Sequence, residues 1–166
     1  KAGLANLEKH VENVELFGYK PVIALNRFPS DAPEEIALVR AFAEERGLPF
    51  APSEVYAQGG EGGLELAERV LEALDLPHAY RPLYPLEASL EAKVEAIATR
   101  VYGAEGVEWS EEAKRALKAA KKEGCEALPV VVAKAATSLS DNPRLRGRPR
   151  GFTVRVTDLR CRLGAG

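Results

Sequence analysis

Leu4, Leu7, Val11, Val14 and Leu16 or Phe17 recur at the spacing of one helical face, with Glu8, Lys9, Glu12 and Glu15 between them. Gly18 follows where such a helix would close. An amphipathic helix is predicted. Residues 21–26, PVIALN, are then a short continuous apolar run, the pattern of a central parallel strand covered on both faces. Asp31 is placed to cap a second helix, with Pro33 in its first turn and Glu34 three residues after the cap. That helix runs through Ile36, Val39 and Phe42 to Gly47. A strand over 49–53 and a helix carrying Leu64, Leu66, Ala67, Val70, Leu71 and Leu74 complete the series. Such alternation predicts a parallel sheet with crossover helices, whose ligands bind at the carboxyl ends of strands.

From Pro77 to Pro85 three prolines interrupt any helix or central strand, so residues 77–87 read as a connector between a lobe of 1–76 and a smaller α+β lobe of 88–166. The second lobe is predicted to hold a helix over 88–102, a short VEW segment, and a Lys-rich helix capped at Ser110. Strands over 129–135 and 152–162 follow. The segment SLSDNPRLRGRPRG between those strands is long and rich in turn formers, as functional or mobile loops are.

Composition narrows the class. At 166 residues, with 46% hydrophobic and 29% charged, the chain suits one compact α/β body in two lobes. The net charge of -2 hides a basic tail: from Lys134 onward stand seven arginines and one lysine, against Asp141 and Asp158. No aromatic residues interleave with Arg144, Arg146, Arg148 and Arg150, so a solvated loop or acidic neighbour is expected there rather than nucleic acid. Cys125 and Cys161 lie far apart without a CxxC or clustered histidines. They argue against a zinc site or disulfide scaffold and leave a reducing cytosol as the default. His10 and His78 are isolated and read as structural, so no metal is expected; Trp109 reads as a core or staple residue. No apolar run reaches the ~18 residues that span a bilayer, and no signal peptide pattern opens the chain. A cytoplasmic protein is expected. The absence of methionine, a start in apparent mid-helix and an end on Gly164-Ala165-Gly166 suggest a piece of something longer; few amides and many Glu and Arg fit a thermophilic source.

The candidate chemistry lies between Asn26 and Gly63. Phe28 and Tyr56 stand at the ends of two predicted strands, each with little core to fill and a face free to stack on a flat ligand. Gly59-Gly60-Glu61-Gly62-Gly63 opens a helix, where backbone N–H groups suit an anion; a flexible connection is the plainer alternative. Asn26-Arg27-Phe28-Pro29 resembles the base-reading Asn-Lys-x-Asp loop of P-loop GTPases, with Pro29 in the Asp place. A strand ending in a capped turn explains it equally well. No GxxxxGK[ST] occurs, so a self-contained nucleotide triphosphatase is not expected.

The strings GLANLEKHVENV, PVIALNRFPSD, SEVYAQGGEGGLELAERV, VYGAEGVEWS, LPVVVAK, SLSDNP and GRPRGFTVRV, in this order, resemble the later part of formate–tetrahydrofolate ligase. The resemblance covers essentially the whole chain. It implies a P-loop NTPase-like portion and a cytosolic, ATP-dependent enzyme. Formate takes the terminal phosphoryl group of MgATP, and the N10 amine of tetrahydrofolate attacks the resulting formyl phosphate. It also implies that the pterin lies between Phe28 and Tyr56 with Pro52 lining the pocket. Asn26, Arg27, Gly59, Gly60, Gly62 and Lys134 are the candidates for an anion or nucleotide site. The family usually has Trp at position 56 and Lys at 58, where this chain has Tyr56 and Gln58. It has Thr-Gln-Tyr-Ser where this chain has Ala135-Ala136-Thr137-Ser138.

Without the phosphate loop the chain is expected to be inactive alone, holding tetrahydrofolate and MgATP as family substrates rather than as tightly bound cofactors. Folate, formate and ATP are the expected small-molecule partners, with a homo-oligomer or an N-terminal partner chain. The alternative is a non-catalytic folate- or nucleotide-binding or assembly module that pairs with a separate N-terminal chain. A structural remnant is a third reading.

Overall fold

The computed structural model describes residues 3–133 and 138–162. The chain is mixed α/β and divides into two units, residues 1–81 and 82–166.

In the first unit, α1 (Leu4–Leu16) precedes β1 (Ile23–Asn26), α2 (Pro33–Glu45) and β2 (Phe50–Ser53). The strands pair in parallel, with Ile23 opposite Phe50 and Asn26 opposite Ser53. Val11 of α1 and Phe42 and Ala43 of α2 bury one face of this pair through Ile23, Leu48 and Phe50. That is the face the helical periodicity anticipates. The other face differs from expectation: Ala24 is exposed, and β1 has β2 as its one strand partner among the described residues. After β2 come α3 (Val55–Gln58), a 3-10 turn (Gly59–Gly63) and α4 (Leu64–Leu74). α4 buries no residue fully; Leu64, Leu71 and Leu74 are 61%, 64% and 67% exposed. Residues 79–81 return to the end of α1, where Ala79 N donates to Gly18 O and Arg81 N to Phe17 O. Gly18, at φ +83°, cannot carry a Cβ there, because it would fall 1.9 Å from Ala79 O. Tyr19 stacks on His78 at 5.5 Å, which gives that histidine a structural place.

In the second unit, Ser89 caps α5 (Leu90–Ala96) by accepting from Ala92 N, and the helix widens into a π turn over Ile97–Tyr102 before Gly103 ends it. β3 (Gly106–Trp109) leads to Ser110, which caps α6 (Glu111–Lys122) as its sequence predicts. β4 (Thr153–Val156) pairs in parallel with β3. Lys121 of α6 meets Glu91 of α5 at 2.7 Å. Burial raises the Glu91 carboxyl, but hydrogen bonding to Lys121 and its charge help leave it below the ordinary carboxylate range.

Three expectations change here. The described part of the 129–135 segment forms no strand, because side chains take its backbone groups: the Tyr84 hydroxyl receives Val130 N and donates to Val130 O, and Tyr102 donates to Val132 O. Burial raises the Tyr102 hydroxyl above its usual range, in keeping with its use as a neutral donor. The final strand stops at Val156 rather than reaching Arg162, where β3 also gives way to α6. Lastly, Cys125 and Cys161 form a disulfide, against the expectation of no such staple. Distance in sequence hid a pairing that the fold creates: Cys125 follows α6, and Cys161 packs with Leu159 against the Leu90, Leu117 and Ala120 cluster.

The loop after 137 is tied internally. Ser138 and Ser140 are buried, with Ser140 N donating to Ser138 Oγ at 3.0 Å and Asn142 N to Ser140 Oγ at 3.1 Å. Its turn formers serve its own hydrogen bonding.

Candidate functional site at the strand ends

The carboxyl ends of β1 and β2 lie side by side, so the register alone brings Asn26 beside Ser53 and Leu25 beside Pro52. Arg27 N continues the ladder by donating to Ser53 O at 2.9 Å. Phe28 then turns away from the sheet. Its N donates to Asp31 Oδ2 at 2.8 Å while Asp31 N donates to Phe28 O at 3.0 Å, a reciprocal closure of residues 28–31. Asp31 is therefore not the cap of α2, whose N-cap is Ala32 without a side-chain bond. Its carboxylate fixes the turn that carries Phe28, and the ring is left 54% exposed.

Tyr56 projects from α3, a single helical turn, and is 93% exposed. Among the described residues neither this ring nor that of Phe28 pairs with another aromatic ring, and each keeps exposed surface on which a flat ligand can stack. The glycines after it are helical rather than loose. Gly59 takes φ +61° and ψ -145°, a conformation reserved to glycine, and Gly59 and Gly60 would have open space around an added Cβ. Gly62 is confined: a Cβ there would lie 2.5 Å from both the carbon and the oxygen of the Glu54 carbonyl. That close approach lets Gly62 O accept from Glu54 N at 2.9 Å.

Glu54 accepts from Arg27 Nη1 at 3.0 Å on one carboxylate oxygen and from Gln58 Nε2 at 2.9 Å on the other, and so links the residue before Phe28 to the turn that carries Tyr56. The Arg27 charge is thereby matched by a partner, and Gln58 adds no charge of its own. Glu54 was not singled out from the sequence, and Asp31 was read there only as a helix cap. The readable signals were an acid four residues before Gln58 on a helical turn and an Asp three residues after Phe28. Of the residues the sequence nominates, Asn26, Arg27, Phe28, Pro52, Tyr56, Gly59, Gly60 and Gly62 all belong to the segments at this one edge. Lys134 lies outside the described residues. Elsewhere, Glu123, Cys125 and Cys161 gather ligand-type atoms within 4.8 Å, but the two sulfurs are bonded to each other and offer no thiolate to a metal.

The family model of formate–tetrahydrofolate ligase matches residues 1–166. The chain belongs to the formate–tetrahydrofolate ligase family. Proteins named formate–tetrahydrofolate ligase from Staphylococcus aureus strains JH9, Newman and JH1 are each 43% identical to it over 166 residues. The match takes in 100% of this chain and 30% of each relative. The chain thus spans about a third of the length of the curated formate–tetrahydrofolate ligases it matches. Among its described residues, no helix is long and apolar enough to cross a membrane.

Proposed function

We propose that the strand-end edge of the first unit is the pterin-holding part of a formate–tetrahydrofolate ligase. The pterin would lie between Phe28 and Tyr56, with Pro52 as a wall. The observation that carries this reading is the exposure of Tyr56, 93%, on the turn after β2, with Phe28 54% exposed at the end of β1. A tyrosine left almost wholly in water by its own fold costs apolar hydration that a stacked ring would relieve.

In this reading the chain works within an ATP-dependent, cytoplasmic enzyme whose substrates are formate, MgATP and tetrahydrofolate. Formate takes the γ-phosphoryl group to give formyl phosphate, and the N10 amine attacks the formyl carbon with release of phosphate. The stacked pterin would orient N10 by fixing the plane from which the amine projects. Asn26, Arg27 and the backbone of Gly59, Gly60 and Gly62 are candidates for a phosphate, and Lys134 is a separate candidate for an anion or nucleotide. The nucleotide-gripping loop of a P-loop NTPase-like fold would come from polypeptide beyond these residues, so this chain alone would bind folate without turnover. A second reading, an assembly module that pairs with a separate N-terminal chain, is favoured by the uncovered apolar residues Leu64, Leu71 and Leu74 of α4. The expected occupant is the remaining polypeptide of the ligase, which in the relatives makes up the other part of the chain.

Titrating tetrahydrofolate into the chain and into Phe28→Ala and Tyr56→Ala variants checks the sandwich. Each substitution is expected to weaken binding roughly tenfold, the order of one lost aromatic stacking partner. Unchanged affinity in both variants would sink the reading.

A further inference from the structure

Tyr56 touches almost nothing, so its position is set by the backbone of a four-residue turn that would not hold by itself. Glu54 is the residue that holds it. Its N donates to Gly62 O, its carbonyl accepts from the N–H groups of Ala57 and Gln58 at 2.9 Å each, and its carboxylate takes Gln58 on one oxygen and Arg27 on the other. Arg27 adjoins Phe28, and its own N–H is fixed to Ser53. One carboxylate therefore joins the end of β1, which carries one ring, to the turn after β2, which carries the other.

We propose that Glu54 is a positioning residue that sets the gap between Phe28 and Tyr56, and with it the thickness of flat ligand the pair accepts. The inference rests on the pterin reading for the identity of that ligand, but the clamp itself stands on the bonds just described. An isolated exposed ion pair carries little energy. Here the same carboxylate bonds Arg27 and Gln58 at once, so its loss removes the side-chain link between the turn and the neighbouring strand while the backbone bonds stay, and leaves Tyr56 freer to sample orientations that cannot stack. Binding then falls by the fraction of chains that no longer present both rings. Gln58 fits this role: its amide donates to Glu54 without competing for the charge, so Arg27 keeps the salt bridge.

The test compares the wild-type chain with Glu54→Ala and with the charge exchange Arg27→Glu/Glu54→Arg, in which Gln58 can turn its amide to accept. Tetrahydrofolate affinity is expected to fall about fivefold in Glu54→Ala and to return to within about twofold in the exchanged pair. Amide relaxation measured without ligand is expected to show Tyr56 loosened in Glu54→Ala and restored in the pair, while the thermal midpoint of the first unit stays put. Unchanged Tyr56 relaxation in Glu54→Ala would overturn the clamp whatever the ligand does. Loosened relaxation with unchanged affinity would overturn the gap-setting role. Failure of the pterin reading shows separately, as Phe28→Ala binding like wild type while the relaxation result without ligand still decides the clamp.

Discussion

Reducing the Cys125–Cys161 disulfide is expected to lower the melting temperature of the second unit by roughly 15–25 °C and to leave the first unit unmoved. The bond closes a loop between residues 36 apart, and a loop of that length withholds about 3–4 kcal/mol of chain entropy from the unfolded state. In a domain of this size one kcal/mol moves the midpoint by about 4–8 °C. Both cysteines of the chain lie in residues 82–166, which makes the first unit an internal control. Differential scanning calorimetry with and without dithiothreitol reads both units, and Trp109, the sole tryptophan, reports the second by fluorescence. Cys161→Ser should reproduce the reduced trace. A second-unit transition that ignores the reductant would show that the Leu90, Leu117 and Ala120 cluster holds the tail without the bond.

The second large effect concerns Gly62. In Gly62→Ala the new methyl would meet the carbonyl carbon and oxygen of Glu54 at 2.5 Å and Val55 N at 2.9 Å, all of them backbone atoms that cannot swing aside. Relieving the clash means breaking the bond from Glu54 N to Gly62 O and moving the glycine turn off the end of β2. We expect a local cost of about 3 kcal/mol from overpacking and the lost hydrogen bond together. The core of Ile23, Phe42, Leu48 and Phe50 is untouched, so the unit stays folded while residues 54–62 come loose. Hydrogen exchange at Glu54 should quicken, and tetrahydrofolate affinity should fall more than tenfold, as for the loss of a ring. Gly60→Ala, which adds its methyl to open space, should change neither. Similar behaviour of the two variants would refute the claim that the close approach at Gly62 shapes the site.

Periodicity made α1 and α2 legible because each buries one stripe against the same strand pair, and it placed α4 although that helix leaves its apolar stripe uncovered. The apolar run of β1 and the return after Gly47 likewise announced the parallel crossover. Tertiary partners decided what the pattern missed. Residues 129–133 have the composition of a strand, yet Tyr84 and Tyr102 supply hydrogen bonds that a neighbouring strand would have made, and those tyrosines stand 46 and 30 residues from the groups they bond. The cysteines were misjudged for the same reason, since only the packed tail brings 161 to 125. At the candidate site the rings and glycines were readable from their placement at strand ends. What orients them was not: Asp31 looked like a helix cap because its spacing to Pro33 allows one, while its carboxylate in fact turns back to Phe28 N. Glu54 was not nominated at all, because its role depends on Arg27 arriving from the other strand.

The account turns on whether a pterin is held at this edge of the first unit. Adding tetrahydrofolate to the isotopically labelled chain and mapping amide shifts tests that directly. The largest shifts are expected at 26–28 and 52–62, with ring-current displacements at Phe28 and Tyr56, and none in residues 82–162. Shifts confined to the second unit, or no shifts at saturating ligand, would contradict it.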